Sequence, residues 1–247
     1  MSKQNREQNR SQRAAAIQAE AARSERNRRV AITGGILVVL AAIVAAAFWA
    51  TSGGGGATAS SIPKNLTLTA SGNTLVLGKA DAPVKVTVFE DFQCPFCKQF
   101  EAQSRDFLRT DAAEGKVQVT YTPINFLTND DYSARALSAW AAVLEKGTPK
   151  QALSFHDKLF DSQPYEQSSD KPSEATFQGW AKDLGIGSSV RSAMTGVNSS
   201  VITAVDAVAK TADVQQTPTV LVDGKAYGSD LSVDDLAANL EKTIAAG

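Results

Sequence analysis

Residues 84–100 read VKVTVFEDFQCPFCKQF, a run that passes from a strand pattern to a helical one at its two cysteines. Val84, Val86 and Val88 alternate with Lys85 and Thr87, the period-2 pattern of a β-strand. A helix is expected to begin at the cysteines and to run to about Leu108. Cys94 and Cys97 are the only cysteines in the chain. Two thiols separated by two residues at a strand-to-helix junction can close a small disulfide and open it again, as a dithiol redox site requires. Cys94 would stand at the helix N-terminus, where unpaired backbone N–H groups and the helix dipole favour a thiolate. Cys97 would lie one turn further in, more buried and less acidic. Pro95 suits the first turn, which has no use for its missing N–H. The expected roles are Cys94 as nucleophile and Cys97 as resolving thiol.

Working outward, Val117–Thr122 is expected as a second strand, so that strand, helix and strand form a βαβ unit with parallel neighbours. Before it, Thr67–Leu77 predicts a hairpin around Ser71-Gly72-Asn73. After it, helical periodicity runs from about 131 to 210. It carries Leu137, Trp140, Leu153, His156, Phe160, Phe177 and Trp180 on inward positions, with Trp140, Phe177 and Trp180 expected in the core. The chain then returns to strand at Thr219–Val222 and ends in a helix opened by Ser232. The fold class is α/β, with a helical insertion of about 80 residues.

The N-terminal region has a different character. Residues 30–50 contain 21 residues without a charge. At about 1.5 Å per residue that run spans roughly 30 Å, one bilayer core. The 29 residues before it hold eight Lys/Arg and three Asp/Glu, while the residues after it carry 17 basic and 23 acidic side chains. This asymmetry predicts a cytoplasmic basic tail (1–29), a single transmembrane signal-anchor (30–50), a flexible linker (51–61, TSGGGGATASS) and an extracytoplasmic domain (62–247). A cleaved signal peptide is the competing expectation, with small residues at Ala45–Ala47 and Ala57–Ala59. No basic patch with interleaved aromatics follows the apolar run, which argues against nucleic-acid binding.

Metal and haem chemistry find little support. Two cysteines and one histidine fall short of the four ligands of a closed zinc site. Lys98 stands where covalent haem attachment needs a histidine. No cofactor is expected beyond a redox-active Cys94–Cys97 disulfide.

Residues 86–100 resemble the active-site signature of the membrane-anchored, DsbA-like thioredoxin-fold oxidoreductases of actinobacteria and other Gram-positive bacteria. The likeness extends to Gly78–Pro83, to the helical insertion and to Gln216-Thr-Pro-Thr-Val220. It implies a thioredoxin-like fold with a helical lid, a cis Pro218 beside the cysteines, and Thr217 offering its backbone to an extended substrate. It also implies two kinds of partner: unfolded secreted proteins, and a membrane redox protein. That redox protein would be a quinone-linked thiol oxidase, or a thiol-transfer protein if the enzyme is a reductase. Two positions depart from the pattern. Phe96 replaces the histidine that precedes the second cysteine in the best-known relative. Val88 occupies the place of the buried acid of many thioredoxin-like proteins, leaving Glu90 as the nearest substitute and Asp91 to orient the loop. His156 is expected to pack or hydrogen-bond, and Phe92 and Phe96 to form an apolar rim. The leading expectation is an oxidase of secreted or cell-envelope proteins. The alternatives are a reductase or isomerase, and a non-catalytic, membrane-tethered binding module.

Overall fold

The computed structural model describes residues 62–247. The basic tail, the apolar run and the linker lie outside the described residues, so the membrane expectation is not addressed there. Among the described residues no helix is long and apolar enough to cross a membrane.

Six strands form one sheet: β1 (Leu68–Ser71), β2 (Thr74–Leu77), β3 (Val84–Glu90), β4 (Val117–Pro123), β5 (Thr219–Val222) and β6 (Lys225–Tyr227). Their order is β1-β2-β4-β3-β5-β6. Only β3 and β4 pair in parallel, in a register running from Val84 opposite Val117 to Glu90 opposite Pro123. The connection between them is α1 (Pro95–Glu114), long enough for a parallel crossover. β5 joins the other edge of β3 antiparallel, which places Thr219 opposite Phe89 and so brings the 216–218 loop alongside the end of β3.

The alternating valines explain this placement. Val84, Val86 and Val88 on β3, and Val117, Val119 and Tyr121 on β4, are buried, whereas Lys85, Thr87, Gln118 and Thr120 are only partly so. Two glycines shape the return. Gly115 closes α1 in the left-handed conformation, its amide donating to the carbonyls of Asp111 and Ala112. Gly78, also at positive φ, approaches β4 so closely that a Cβ there would sit 2.5 Å from the Val117 carbonyl.

Five helices lie between β4 and β5: α2 (Tyr132–Lys146), α3 (Pro149–Asp161), α4 (Glu174–Asp183), α5 (Ser188–Arg191) and α6 (Ser199–Thr211). Thr148 and Ser173 close capping boxes on α3 and α4, each satisfying an otherwise orphaned amide. The indole N–H of Trp140 on α2 donates to the Ala152 carbonyl on α3 at 3.1 Å. The last helix, α7 (Val233–Ala246), buries Leu236, Leu240 and Ile244. Trp140 and Phe177 are core residues. Trp180 is not: it stays partly exposed at the edge, with the Lys158 ammonium 5.2 Å from its ring. Its polar edge and the covering lysine stem suit a boundary position.

Candidate active site

Cys94 is the N-cap of α1 and Pro95 follows in the first turn. The Cys94 amide donates to the Asp91 carbonyl at 3.0 Å, closing the turn that carries the chain from β3 into the helix. The side chain of Cys94 offers no cap, so nearby amides remain available to a sulfur anion. Cys94 and Cys97 are both free thiols, buried at 4% and 1% exposure. The Cys94 thiol lies 3.3 Å from the Thr217 carbonyl. The Thr217–Pro218 peptide bond is cis. The Asp91 amide donates to Cys97 Sγ at 3.4 Å.

The two sulfurs are driven apart in acidity. A hydrogen bond from Cys97 is the main influence lowering Cys94, joined by the Thr217 contact and the amides of Cys97 and Phe96. Against the opposing effect of burial these bring Cys94 down to about 7. Burial pushes Cys97 well above the usual thiol range, reinforced by its hydrogen bond to Cys94. At neutral pH one thiolate is therefore populated, and it is the outer one.

Asp91 organises the surrounding loops. Its Oδ1 accepts from the Gln93 amide at 2.7 Å. Its Oδ2 accepts from the amides of Phe126 and Leu127 and from the Ser133 hydroxyl, at 2.8, 2.9 and 2.6 Å. Gln163, just after α3, donates from one amide nitrogen to the carbonyls of Phe92 and Cys94, both at 3.0 Å. The helical insertion thus grips the backbone of the cysteine loop. Gln163 has no recognisable signal in the sequence, being a polar residue in a Gln-Pro turn.

Phe96 is 59% exposed beside a groove of about 290 Å³ that it shares with Thr217, Pro218, Leu231 and Leu236. Phe92 corrects an expectation. It is fully buried rather than on the rim, packed against Trp140, Phe160 and His156 at ring distances of 6.2, 5.2 and 5.7 Å. It is the last large apolar side chain before the cysteines, and the insertion supplies aromatic partners that the strand pattern could not reveal.

Beneath Cys97 lies a buried charged network. Glu90, at the end of β3, is 1% exposed and pairs with His156 of α3, Oε1 to Nε2 at 2.5 Å. The other ring nitrogen faces Asp157 at 3.4 Å and Glu101 at 4.0 Å. Arg109 holds Asp157 at 2.5 Å, and Arg105 holds Asp161 at 3.0 Å. Burial pushes Glu90 up to about 7 against the pull of His156. Burial would lower His156, but the facing carboxylates override it and raise the ring to about 10. Glu90, Glu101 and His156 are the one described group with three metal-competent atoms within 4.8 Å of each other. Each carboxylate already faces a cation, Glu90 the His156 ring at 2.5 Å and Glu101 the Arg105 guanidinium at 3.6 Å, which is the arrangement of a closed ion network. A sequence signal for part of this network exists. Cys97, Glu101, Ser104 and Leu108 share one face of α1, so a glutamate falls where an apolar residue belongs.

A sequence profile described as Thioredoxin matches residues 70–242. Disulfide bond formation protein D of Bacillus subtilis is 30% identical over 176 residues, 68% of this chain and 76% of that protein. A reduced DsbA from Mycobacterium tuberculosis superposes with a TM-score of 0.52 at 26% identity, covering 71% of this chain and 98% of that one. The MdbA thiol-disulfide oxidoreductase of Corynebacterium diphtheriae shares the fold, with a TM-score of 0.59 at 22% identity over 71% of this chain and 93% of that one.

Proposed function

The chain belongs to the thioredoxin family and is a thiol-disulfide oxidoreductase; from that premise we propose that it donates its Cys94–Cys97 disulfide to secreted or cell-envelope proteins. The observation that carries the reading is the placement of Cys94. It is the more acidic sulfur, sits at an open helix N-terminus, and contacts Thr217 beside the Phe96 groove.

In the forward reaction a client thiolate attacks Cys94 Sγ of the disulfide, and Cys97 leaves with the electron pair. The client is now joined to Cys94 as a mixed disulfide. A second client thiolate attacks the client sulfur and expels Cys94 as its thiolate, which at about 7 is a competent leaving group. Two client thiols become one disulfide and the enzyme becomes a dithiol. Thr217 and Pro218 border the groove in which an extended client backbone would lie, and Phe96 offers it an apolar contact. The buried Cys97 anion cannot persist unsolvated, so it takes a proton on leaving and returns one when the enzyme is reoxidised. Glu90, which is buried, titrates near neutrality and acts electrostatically on Cys97, is assigned that exchange.

The sequence also supports a compartment. The basic tail and the 21-residue apolar run support a single-pass anchor with the catalytic domain outside the cytoplasm, where disulfides persist. Reoxidation would then fall to a quinone-linked membrane thiol oxidase. The name of the Bacillus relative accords with this direction. One observation favours a reductase or isomerase instead. The Phe96 side chain donates no hydrogen bond to Cys94, whose acidity stays near that of a reducing thioredoxin, about 7. A direct assay separates the two: oxidised protein is mixed with a reduced, unfolded client and client disulfides are counted by mass. Stoichiometric transfer supports the oxidase. Failure to oxidise, with reduction of scrambled client disulfides by the dithiol form, supports the alternative.

A further inference from the structure

Glu90 poses a physical problem. A carboxyl group sealed from water prefers to be neutral, and a neutral acid cannot accept a proton. Among the described residues, the cation paired directly with Glu90 is His156, at 2.5 Å. The guanidiniums of Arg105 and Arg109 are engaged by Glu101, Asp157 and Asp161.

The surroundings of His156 favour its charged form. Nε2 faces Glu90 and Nδ1 faces Asp157, with Glu101 behind it. Both nitrogens meet acceptors, so both carry hydrogen and the ring is an imidazolium. Phe92, Tyr121 and Phe160 surround it at ring distances of 5.7, 4.7 and 5.0 Å, and its exposure is zero. Water cannot take over its role. Glu90 Oε1 is committed to His156, whereas Oε2 has no hydrogen-bond partner among the described residues and is free to receive a proton.

We propose that His156 is a positioning residue for the exchange reaction: its imidazolium, clamped between Glu90 and Asp157, holds Glu90 as the carboxylate that accepts the Cys97 proton. The proposal rests on the assignment of Glu90 as proton acceptor made above. When Cys97 Sγ attacks the mixed disulfide on Cys94, its proton passes to Glu90 Oε2. The Cys94–client bond breaks and the client leaves as a thiolate. His156 keeps both its hydrogens throughout. The charged and titratable groups around the pair are Cys97, Glu101, Arg105 and Arg109 of α1, Tyr121 of β4, and Asp157 of α3. The two arginines neutralise Asp157 and Glu101, which leaves His156 to serve Glu90.

The test follows release of glutathione from a Cys94–glutathione mixed disulfide, prepared at acid pH and transferred to buffers between pH 5.5 and 9. The wild-type rate should bend near pH 7. In His156→Gln the bend should move up by about one unit or more, with the rate at pH 7 falling at least about fivefold. In Glu90→Gln the bend should vanish, and the double variant should match Glu90→Gln alone. A bend that stays in place in His156→Gln, with the rate lowered equally at every pH, would overturn the proposal and leave Glu90 intact. A bend that survives in Glu90→Gln would remove the acceptor reading, and the proposal with it. Should the variants fold poorly, the ¹⁵N spectrum of wild-type His156 at pH 7 decides. Two protonated ring nitrogens are expected, and a neutral tautomer would contradict the proposal.

Discussion

Replacing Asp91 tests how the site is held together. Its carboxylate accepts four hydrogen bonds from three segments of chain: the cysteine loop (Gln93), the loop after β4 (Phe126, Leu127) and the start of α2 (Ser133). The donors from Gln93 and Ser133 are buried, whereas the amides of Phe126 and Leu127 are partly reachable by water. Asp91→Ala strands two buried donors, each costing about 1–3 kcal/mol, and weakens two more, for a total of about 3–6 kcal/mol. Asp91→Asn keeps the shape but turns an NH₂ toward one donor. The cheaper orientation keeps the carbonyl at Oδ2 and sacrifices only the Gln93 contact, for about 1–3 kcal/mol. Urea unfolding of the reduced proteins should therefore rank wild type above Asn and Asn above Ala. Because ordinary domains are stable by about 5–15 kcal/mol, the alanine variant should lose a large fraction of its stability. If both variants lie within about 0.5 kcal/mol of wild type, within the range of an ordinary surface change, Asp91 does not pin these loops and the reasoning fails.

The other predictions concern the sulfurs, the loop and the membrane. Alkylation of Cys94 by iodoacetamide should reach half its maximal rate at about pH 7, while Cys97 stays unreactive up to pH 9; an inflection above pH 8.5 would remove the acidity argument. Because folding depresses Cys94, its stabilising contribution is present at high pH and lost as pH falls toward 7. Cys97, raised by folding, opposes this gain once the unfolded thiol ionises, so the stability of the reduced relative to the oxidised form should rise by about 1 kcal/mol between about pH 7 and 8.5, as calorimetry would show. Gln163→Ala removes both amide contacts to the cysteine loop and should slow mixed-disulfide formation several-fold while costing about 1–2 kcal/mol of stability; an unchanged exchange rate would make Gln163 a bystander. Alkaline phosphatase fused after residue 60 should be active in cells, and an inactive fusion paired with an active cytoplasmic reporter would refute the topology.

Much of the scaffold was legible because its signals are local. The valine alternation at 84–88 and 117–119 sets the central parallel pair, and the spacing of Leu137, Trp140, Leu153 and Phe160 marks the insertion. The cysteine pair declared itself through its place at a strand-to-helix junction. Thr217 and Pro218 became meaningful only through likeness to a family, since Thr-Pro-Thr before a valine run marks no more than the start of a strand. What sequence could not supply was contact between distant segments. Glu90 and His156 are 66 positions apart, and their pairing depends on α3 folding back under β3. Phe92 looked exposed because its aromatic partners come from the insertion. Arg105 and Arg109 resemble solvent-facing helix charges until Asp157 and Asp161 close over them.

The most direct test of the central claim is the redox state of Cys94 and Cys97 in growing cells. Acid quenching, followed by alkylation with a mass-shifting maleimide, separates dithiol from disulfide in the full-length protein. The pair should be mostly disulfide at steady state and become dithiol when a reduced client is overproduced. A pair held mostly as dithiol would contradict the oxidase and establish a reductase or isomerase in its place.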